Sequence, residues 1–273
     1  MNLFRRRSLS NADADLALAL ALALALALAD ARKLLERHMA PAARRHFLRG
    51  SLTLGGLSLL AGCSISDNED VEAMLQRISR WNDRAQGWLF DPGRLAPTYP
   101  ESMIVRPFPF NAYYGEDEVR IVKEEGYRLE VAGLVAEKRP WTLAALRALA
   151  QQEQVTRHIC VEGWSAIGKW GGVPFGDFLR RIGADLSAKY IGFACADDYH
   201  TSIDMATALH PQTLLALTCD GEPLPPKYGF PLKLRIPTKL GYKNPKHVMA
   251  MSVTNTYPGG YWEDQGYNGF GGS

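Results

Sequence analysis

The stretch RHICVEGWSAIGKWGGVPF, Arg157 to Phe175, sets the reading of the whole chain. Val155 to Val161 (VTRHICV) alternates as a strand does and runs into a segment rich in glycine, read as an apolar-aromatic turn that ends in Gly171-Gly172-Val173-Pro174. Beyond it, VPFGDFLRRIG puts Pro174 at a helix start and Gly183 at a stop. The neighbouring segments repeat this rhythm of strands and short helices. Gly126 to Val135 sets Tyr127, Leu129 and Val131 against Arg128 and Glu130, which is strand period. Thr142 caps a short helix expected over Leu143 to Ala150. KYIGFACA (189–196) reads as a strand, SIDMATAL (202–209) as a short helix, and TLLALTCDGEPL (213–224) as a strand ending in an Asp220-Gly221 turn. PLKLRIP (231–237) alternates with Leu232, Leu234 and Ile236 on one face, and KHVMAMSVT (246–254) is the last strand. Short helices between irregularly spaced strands predict an α+β fold with a mixed, mainly β core rather than regular βαβ units.

The bulk numbers fit one domain plus a targeting segment. The chain has 273 residues, is 47% apolar and 22% charged, and carries a net charge of +2. A balance this close to neutral is not that of a nucleic-acid-binding protein, and no nucleic-acid partner is expected. Its four cysteines (63, 160, 195 and 219) form no CxxC and no CxxCH. That argues against a zinc ribbon, a thioredoxin-type site and covalent c-type haem.

Residues 1–66 read as a low-complexity segment and an export signal. Leu16 to Ala29 is a Leu/Ala run, too short to span a bilayer comfortably. Met39 opens a second possible start. In ARRHFLRGSLTLGGLSLLAGC, Arg44-Arg45 precede a weakly apolar stretch, the pattern of a Tat signal and hence of the Tat export machinery as a partner. Leu60-Ala61-Gly62-Cys63 also resembles a lipobox, with Cys63 lipidated; a plain N-terminal anchor helix is the blander reading. Residues 67–87 are polar and acidic, read as a tether leading into a short helix, with the folded domain over 88–273.

Lys227 to Lys246 carries six cations (Lys227, Lys233, Arg235, Lys239, Lys243, Lys246) and no acid. Strand alternation sets Lys233 and Arg235 on the same face, and interrupting Gly and Pro let backbone approach a ligand. Such a run grips phosphate by charge-assisted hydrogen bonds, or it is a solvated basic edge that discourages aggregation; charge alone does not separate the two. Cys160 is open to three readings: a buried inert thiol, a nucleophile with His158 as base, or a soft-metal ligand. No His/Cys cluster accompanies it, so if it binds metal the remaining sulfur must come from a cofactor.

RHICVEGWSAIGKWGGVPF together with SIDMATALHPQTLLALTCDGEPLPPKYGFPLKLRIPTKLGYKNPKHVMAMSV resembles the sulfite oxidase-like molybdopterin-dependent oxidoreductases, nearest their branch of periplasmic methionine sulfoxide reductase catalytic subunits. The resemblance runs from about Phe110 to Val253. It implies the sulfite oxidase-like molybdopterin-binding fold and a Mo-molybdopterin cofactor. Cys160 would bind molybdenum beside the two dithiolene sulfurs of one pterin and act as the catalytic ligand in a two-electron oxygen-atom transfer. Asn111, Tyr114 and Gly115 match a loop that touches the cofactor, and Asn244 and Lys246 match the segment at its phosphate end. Cys195, Tyr228 and Lys233 stand where the nearest branch has threonine, asparagine and arginine, and Arg235 belongs to the same basic clamp. The resemblance further implies a small-molecule oxygen-atom donor or acceptor and a separate electron-transfer partner such as a membrane haem protein. The short tail after the last strand fits a monomeric catalytic subunit. Cys195 and Cys219 could instead pair as a disulfide in an oxidising compartment. Without redox chemistry, the chain would be a non-catalytic exported lipoprotein binding an anionic ligand or partner through 227–246.

Tyr199, His200 and Asp204 are candidates for the substrate mouth, although a surface role for His200 competes with that. His210 reads as structural, and Trp141 and Trp170 as packing.

Overall fold

The computed structural model describes residues 69–272, with side chains from Arg77 onward; the Leu/Ala run, the twin arginines and Cys63 lie outside the described residues. Two sheets share the core. The first has the order β2 (Trp141–Thr142), β1 (Arg128–Gly133), β10 (Val248–Thr254), β5 (Tyr190–Cys195), β6 (His200–Asp204). Only β1 and β10 run parallel in it. The second is antiparallel: β3 (Gln152–Ile159), β4 (Ser165–Pro174), β7 (Leu214–Cys219) and β8 (Glu222–Pro223), with β9 (Lys233–Arg235) also paired to β7. Helices α2 (Leu143–Arg147), α3 (Phe175–Arg181) and α4 (Met205–Leu209) are short; α1 (Glu69–Leu89) is a single helix of 21 residues. The expected α+β architecture with a mainly β core is the observed one. Among the described residues no helix is long and apolar enough to cross a membrane.

The main core joins both sheets: Leu129, Val131, Ile191 and Val253 of the first, Leu215, Leu217 and Leu234 of the second, with Phe175 and Phe178 of α3 between them. Burying each such side chain contributes about 2 kcal/mol, so the layers hold together without long helices. A smaller cluster of Phe108, Ala166, Trp170, Cys219, Leu224 and Tyr228 sits behind the second sheet. Trp141 and Trp170 are buried packing residues, as read.

Three local expectations change. The glycine-rich segment is not a turn; it is β4, paired on both sides, with a bulge between Gly171 and Gly172. A Cβ on Gly172 would lie 2.0 Å from the Leu215 carbonyl oxygen, so these glycines serve strand-to-strand approach. Ser202 to Asp204 is strand rather than helix, because the Asp204 carboxylate accepts the Thr207 amide at 2.8 Å and caps α4 from outside. Helix α2 stops at Arg147, three residues early, where the Gln151 amide donates to the carbonyls of Leu146 and Leu149 at 3.1 and 2.9 Å. Thr142 does cap it, accepting the Ala145 amide at 3.0 Å. Asp220 and Gly221, with φ of 56° and 83°, form the expected β7–β8 turn.

Candidate cofactor site

Cys160 closes the β3–β4 hairpin. Its amide donates to the Trp164 carbonyl at 2.9 Å, and the Gly163 amide donates back to the Cys160 carbonyl at 3.2 Å. Gly163 has φ of 91°, a left-handed conformation that glycine adopts freely. The loop aims Cys160 into a cleft bounded by the tyrosine loop 111–114, by Asp197 and Tyr199, and by the segment 241–246. Burial pushes the Cys160 thiol up, while backbone amides of the loop partly offset this and the Glu162 carboxylate adds to it. The Glu162 carboxylate lies 3.6 Å from Sγ and accepts the Trp164 indole N–H at 2.8 Å.

The hydrolase reading fails on this geometry. His158 Nε2 lies 3.4 Å from Asn111 Nδ2, Cys160 has no hydrogen bond to it, and burial followed by Arg235, Lys233 and Lys246 holds its imidazole neutral. The three described cysteines are free thiols, so Cys195 and Cys219 form no disulfide.

The basic run decides between its two readings. Lys233, Arg235, Lys239, Lys243 and Lys246 are between 0% and 7% exposed. Only Lys227 lies at the surface, paired with Glu116 at 2.9 Å. A solvated basic edge is therefore excluded. Lys243 pairs with buried Glu263, and Lys239 faces Asp204 at 3.7 Å. Lys233, Arg235 and Lys246 form no ion pair among the described residues. Lys233 donates to the Asn244 carbonyl at 3.0 Å and Lys246 to the Lys227 carbonyl at 2.8 Å. Arg235 reaches Asn244 Oδ1, Thr156 Oγ1 and the Arg157 carbonyl, and its Nε has no partner. Burial lowers Lys233 well below the ordinary lysine range, with Lys246 and Arg235 adding to it. It lowers Lys246 to about 8, against the pull of Asp197 and Glu116, and Arg235 to about 9. Burying unpaired cations costs several kcal/mol each unless an anion meets them.

Of the expected site residues, Asn111, Tyr114, Cys160, Asn244 and Lys246 line one cleft. Lys233 and Arg235 stand behind Asn244 and hold it; Asn244 Oδ1 also accepts the Ile236 amide at 2.7 Å. Gly115 follows the tyrosine loop and caps a short 3-10 turn. Cys195 ends β5 beside the cleft, donating its amide to the Tyr199 carbonyl at 3.0 Å, and does not line it. Tyr228 packs in the smaller cluster, its hydroxyl donating to the Phe108 carbonyl at 2.6 Å. Of the mouth candidates, Tyr199 lines the cleft, His200 is half-buried and lies 3.3 Å from Asp264, and Asp204 caps α4. His210 is structural, with Nε2 against the Arg94 carbonyl at 3.0 Å.

Sequence reasoning passed over Tyr113, Asp197, Tyr242 and Trp262, which also line the cleft. The Tyr114 hydroxyl donates to Asp197 Oδ2 at 2.8 Å, and that of Tyr113 to the Asp197 carbonyl. Tyr113 packs on Tyr199 and Tyr261 with ring centroids 5.9 and 4.5 Å away. The adjacent tyrosines at 113 and 114 were the one local signal; Trp262 arrives from a tail with no periodicity.

These residues fit an anionic pterin with a soft metal. Three buried cations lack an anion, Arg235 Nε and His158 Nδ1 lack acceptors, and Gly241 leaves a narrow floor where a Cβ would meet His158 Nε2 at 2.8 Å. Among the described residues no cluster of His, Cys, Asp or Glu could hold a metal by itself, so further donors must come with the cofactor.

A cleft with one thiol at its mouth and unpaired cations at its back describes a protein that binds a soft, anionic group, and residues 116–262 match the family described as the oxidoreductase molybdopterin binding domain. The chain belongs to that family and is a molybdopterin oxidoreductase. It is 69% identical, over 89% of its length and 93% of the other's, to an Azospira oryzae protein provisionally named protein-methionine-sulfoxide reductase subunit YedZ1. It is also 34% identical, over 44% of its length and 42% of the other's, to the protein-methionine-sulfoxide reductase catalytic subunit MsrP of Xanthomonas axonopodis pv. citri. A solved structure, the sulfane dehydrogenase SoxCD from Paracoccus pantotrophus, aligns with a TM-score of 0.48 and 20% identity over 50% of this chain and 40% of that one.

Proposed function

We propose that this chain is the catalytic subunit of an exported molybdenum–pterin enzyme that reduces sulfoxide sulfur, with methionine sulfoxide in proteins as the substrate class. The overall conversion takes a sulfoxide, two electrons and two protons to a thioether and water, with electrons supplied by a separate partner such as a membrane haem protein. When bound, the cofactor supplies the oxygen-atom transfer. The names of the similar proteins support the substrate class.

The carrying observation is that Cys160 and the buried, anion-free Lys246 line one cleft, with Lys233 and Arg235 held behind it through Asn244. Cys160 Sγ is the metal ligand, which deprotonates on coordination. Asn244 and Lys246 would hold the phosphate end of the pterin. Lys233 and Arg235 set the Asn244 backbone and side chain and add positive potential. Asn111 and Tyr114, which line the cleft, would contact the cofactor. Tyr114 stays protonated, since burial and its hydrogen bond to Asp197 both raise it, and it keeps that carboxylate on the cleft wall. Export follows from Arg44-Arg45 by the Tat route into the periplasm, and the Leu60 to Cys63 lipobox anchors the mature chain by lipid on Cys63.

Metal analysis of protein from cells with an intact molybdenum pathway tests the centre. We expect about one molybdenum per chain, lost in Cys160→Ser with the fold retained. Full occupancy in that variant would remove the cysteine from the metal and overturn the proposal.

A further inference from the structure

Over its described side chains, from Arg77 to Leu89, helix α1 shows its apolar face to solvent. Its contacts with the domain are polar or small: Asp83 accepts the Phe270 amide at 3.0 Å, Gln86 accepts the Gly272 amide at 3.4 Å, and Gly87 faces the Phe270 ring. From Arg77 onward its large apolar side chains are exposed. Ile78 is 44% exposed, Trp81 64%, Leu89 72% and Trp88 84%. Spaced three, seven and one residues apart, they form one continuous stripe. The exposed Arg77, Arg80 and Arg84 lie together along one flank of that stripe by the same helical spacing. An apolar stripe of two tryptophans on solvent is a binding surface.

We propose that this stripe lies in the headgroup region of an anionic lipid bilayer, holding the catalytic domain against the membrane. The occupant follows from where the chain is attached, and this step rests on the lipid anchor at Cys63 read above. Five residues lie between Cys63 and Glu69, the first residue of α1, so the helix starts within about 20 Å of an acylated Cys63. A helix held that close to lipid meets the bilayer before any soluble partner. Tryptophan suits the interface, where its ring is half apolar and half polar, and the arginine flank complements anionic headgroups. The helix supplies a further attachment beside the acyl chains.

The test uses the full chain produced in an exporting cell. Mass spectrometry of the membrane-extracted protein reads acylation at Cys63 separately from the helix. The protein is then mixed with vesicles of phosphatidylcholine and phosphatidylglycerol whose acyl chains carry bromine near the headgroups, and tryptophan emission is recorded. We expect the bromine quenching to fall about three-fold in Trp81→Phe/Trp88→Phe, which keeps the apolar stripe and removes its two fluorophores. Replacing Arg77, Arg80 and Arg84 with Gln should halve, roughly, the dependence on phosphatidylglycerol. Quenching equal in wild type and the double variant overturns the inference, whether Cys63 is acylated or not. An unmodified Cys63 with quenching intact at excess vesicles sinks only the anchor reading. A stripe that serves a protein partner instead gives no quenching on vesicles, which is the overturning result.

Discussion

Cys160 owes its position to Gly163, whose φ of 91° lets the hairpin loop close and point the thiol into the cleft. Gly163→Ala meets no atom within 4 Å, so its cost is backbone strain alone, about 1 kcal/mol. We expect a small drop in thermal midpoint and a measurable drop in molybdenum content. Gly172→Ala differs, because its Cβ would meet backbone at 2.0 Å with nothing able to yield. It should destabilise by about 3 kcal/mol or more by urea titration, or abolish soluble expression. The two glycines look alike in the sequence. Their different costs come from β7 lying beside one and solvent beside the other, which no local pattern encodes. Cys160 itself was legible only as a choice among three roles until its neighbours were fixed.

At the scale of elements, the segment 239–246 and the tail 261–272 hold each other through a buried charge. Lys243 and Glu263 are both almost inaccessible, and Glu263 also accepts the Thr201 hydroxyl at 2.7 Å. Glu263→Gln leaves Lys243 buried without its counter-ion and should cost about 3–5 kcal/mol, read by thermal or urea unfolding. Lys239, over the rings of Phe90 and Phe270 with no hydrogen-bond partner, is lowered to about 7, first by burial, with Lys243 adding and Asp204 opposing. A lysine depressed in the folded state makes the folded chain bind fewer protons than the unfolded one between the two pKa values. Its penalty is full below about 7 and relieved as pH rises towards 10.5. We expect the thermal midpoint of the cofactor-free chain to gain from this group over that window. Lys239→Met should raise the midpoint at pH 6 and flatten the rise. Strand period and turn chemistry made β1, β5, β7 and β10 readable. The conversion of the glycine segment to β4 was not, because a glycine-rich strand carries a turn's composition and is specified by partners on both sides.

For the whole molecule, unpaired buried cations mean that the folded chain awaits an anion, and binding it should stabilise the fold by mass action. Phosphate or pyrophosphate added to the cofactor-free chain should raise its midpoint, by about 2.7 kcal/mol of stability at a hundredfold excess over Kd. Lys233→Met/Lys246→Met should start more stable and gain little, as differential scanning measurements can show.

By itself, the sequence determined the α+β class and the family, because hydrophobic period, turn residues and ordered motif blocks are local and survive without coordinates. Only the tertiary structure decided that the basic run is interior, that Asn111, Cys160 and Lys246 meet on one cleft, and that α1 shows its tryptophans to solvent. Burial is a property of what packs against a residue from elsewhere in the chain. A lysine-rich strand reads the same whether β7 and a returning tail cover it or water does.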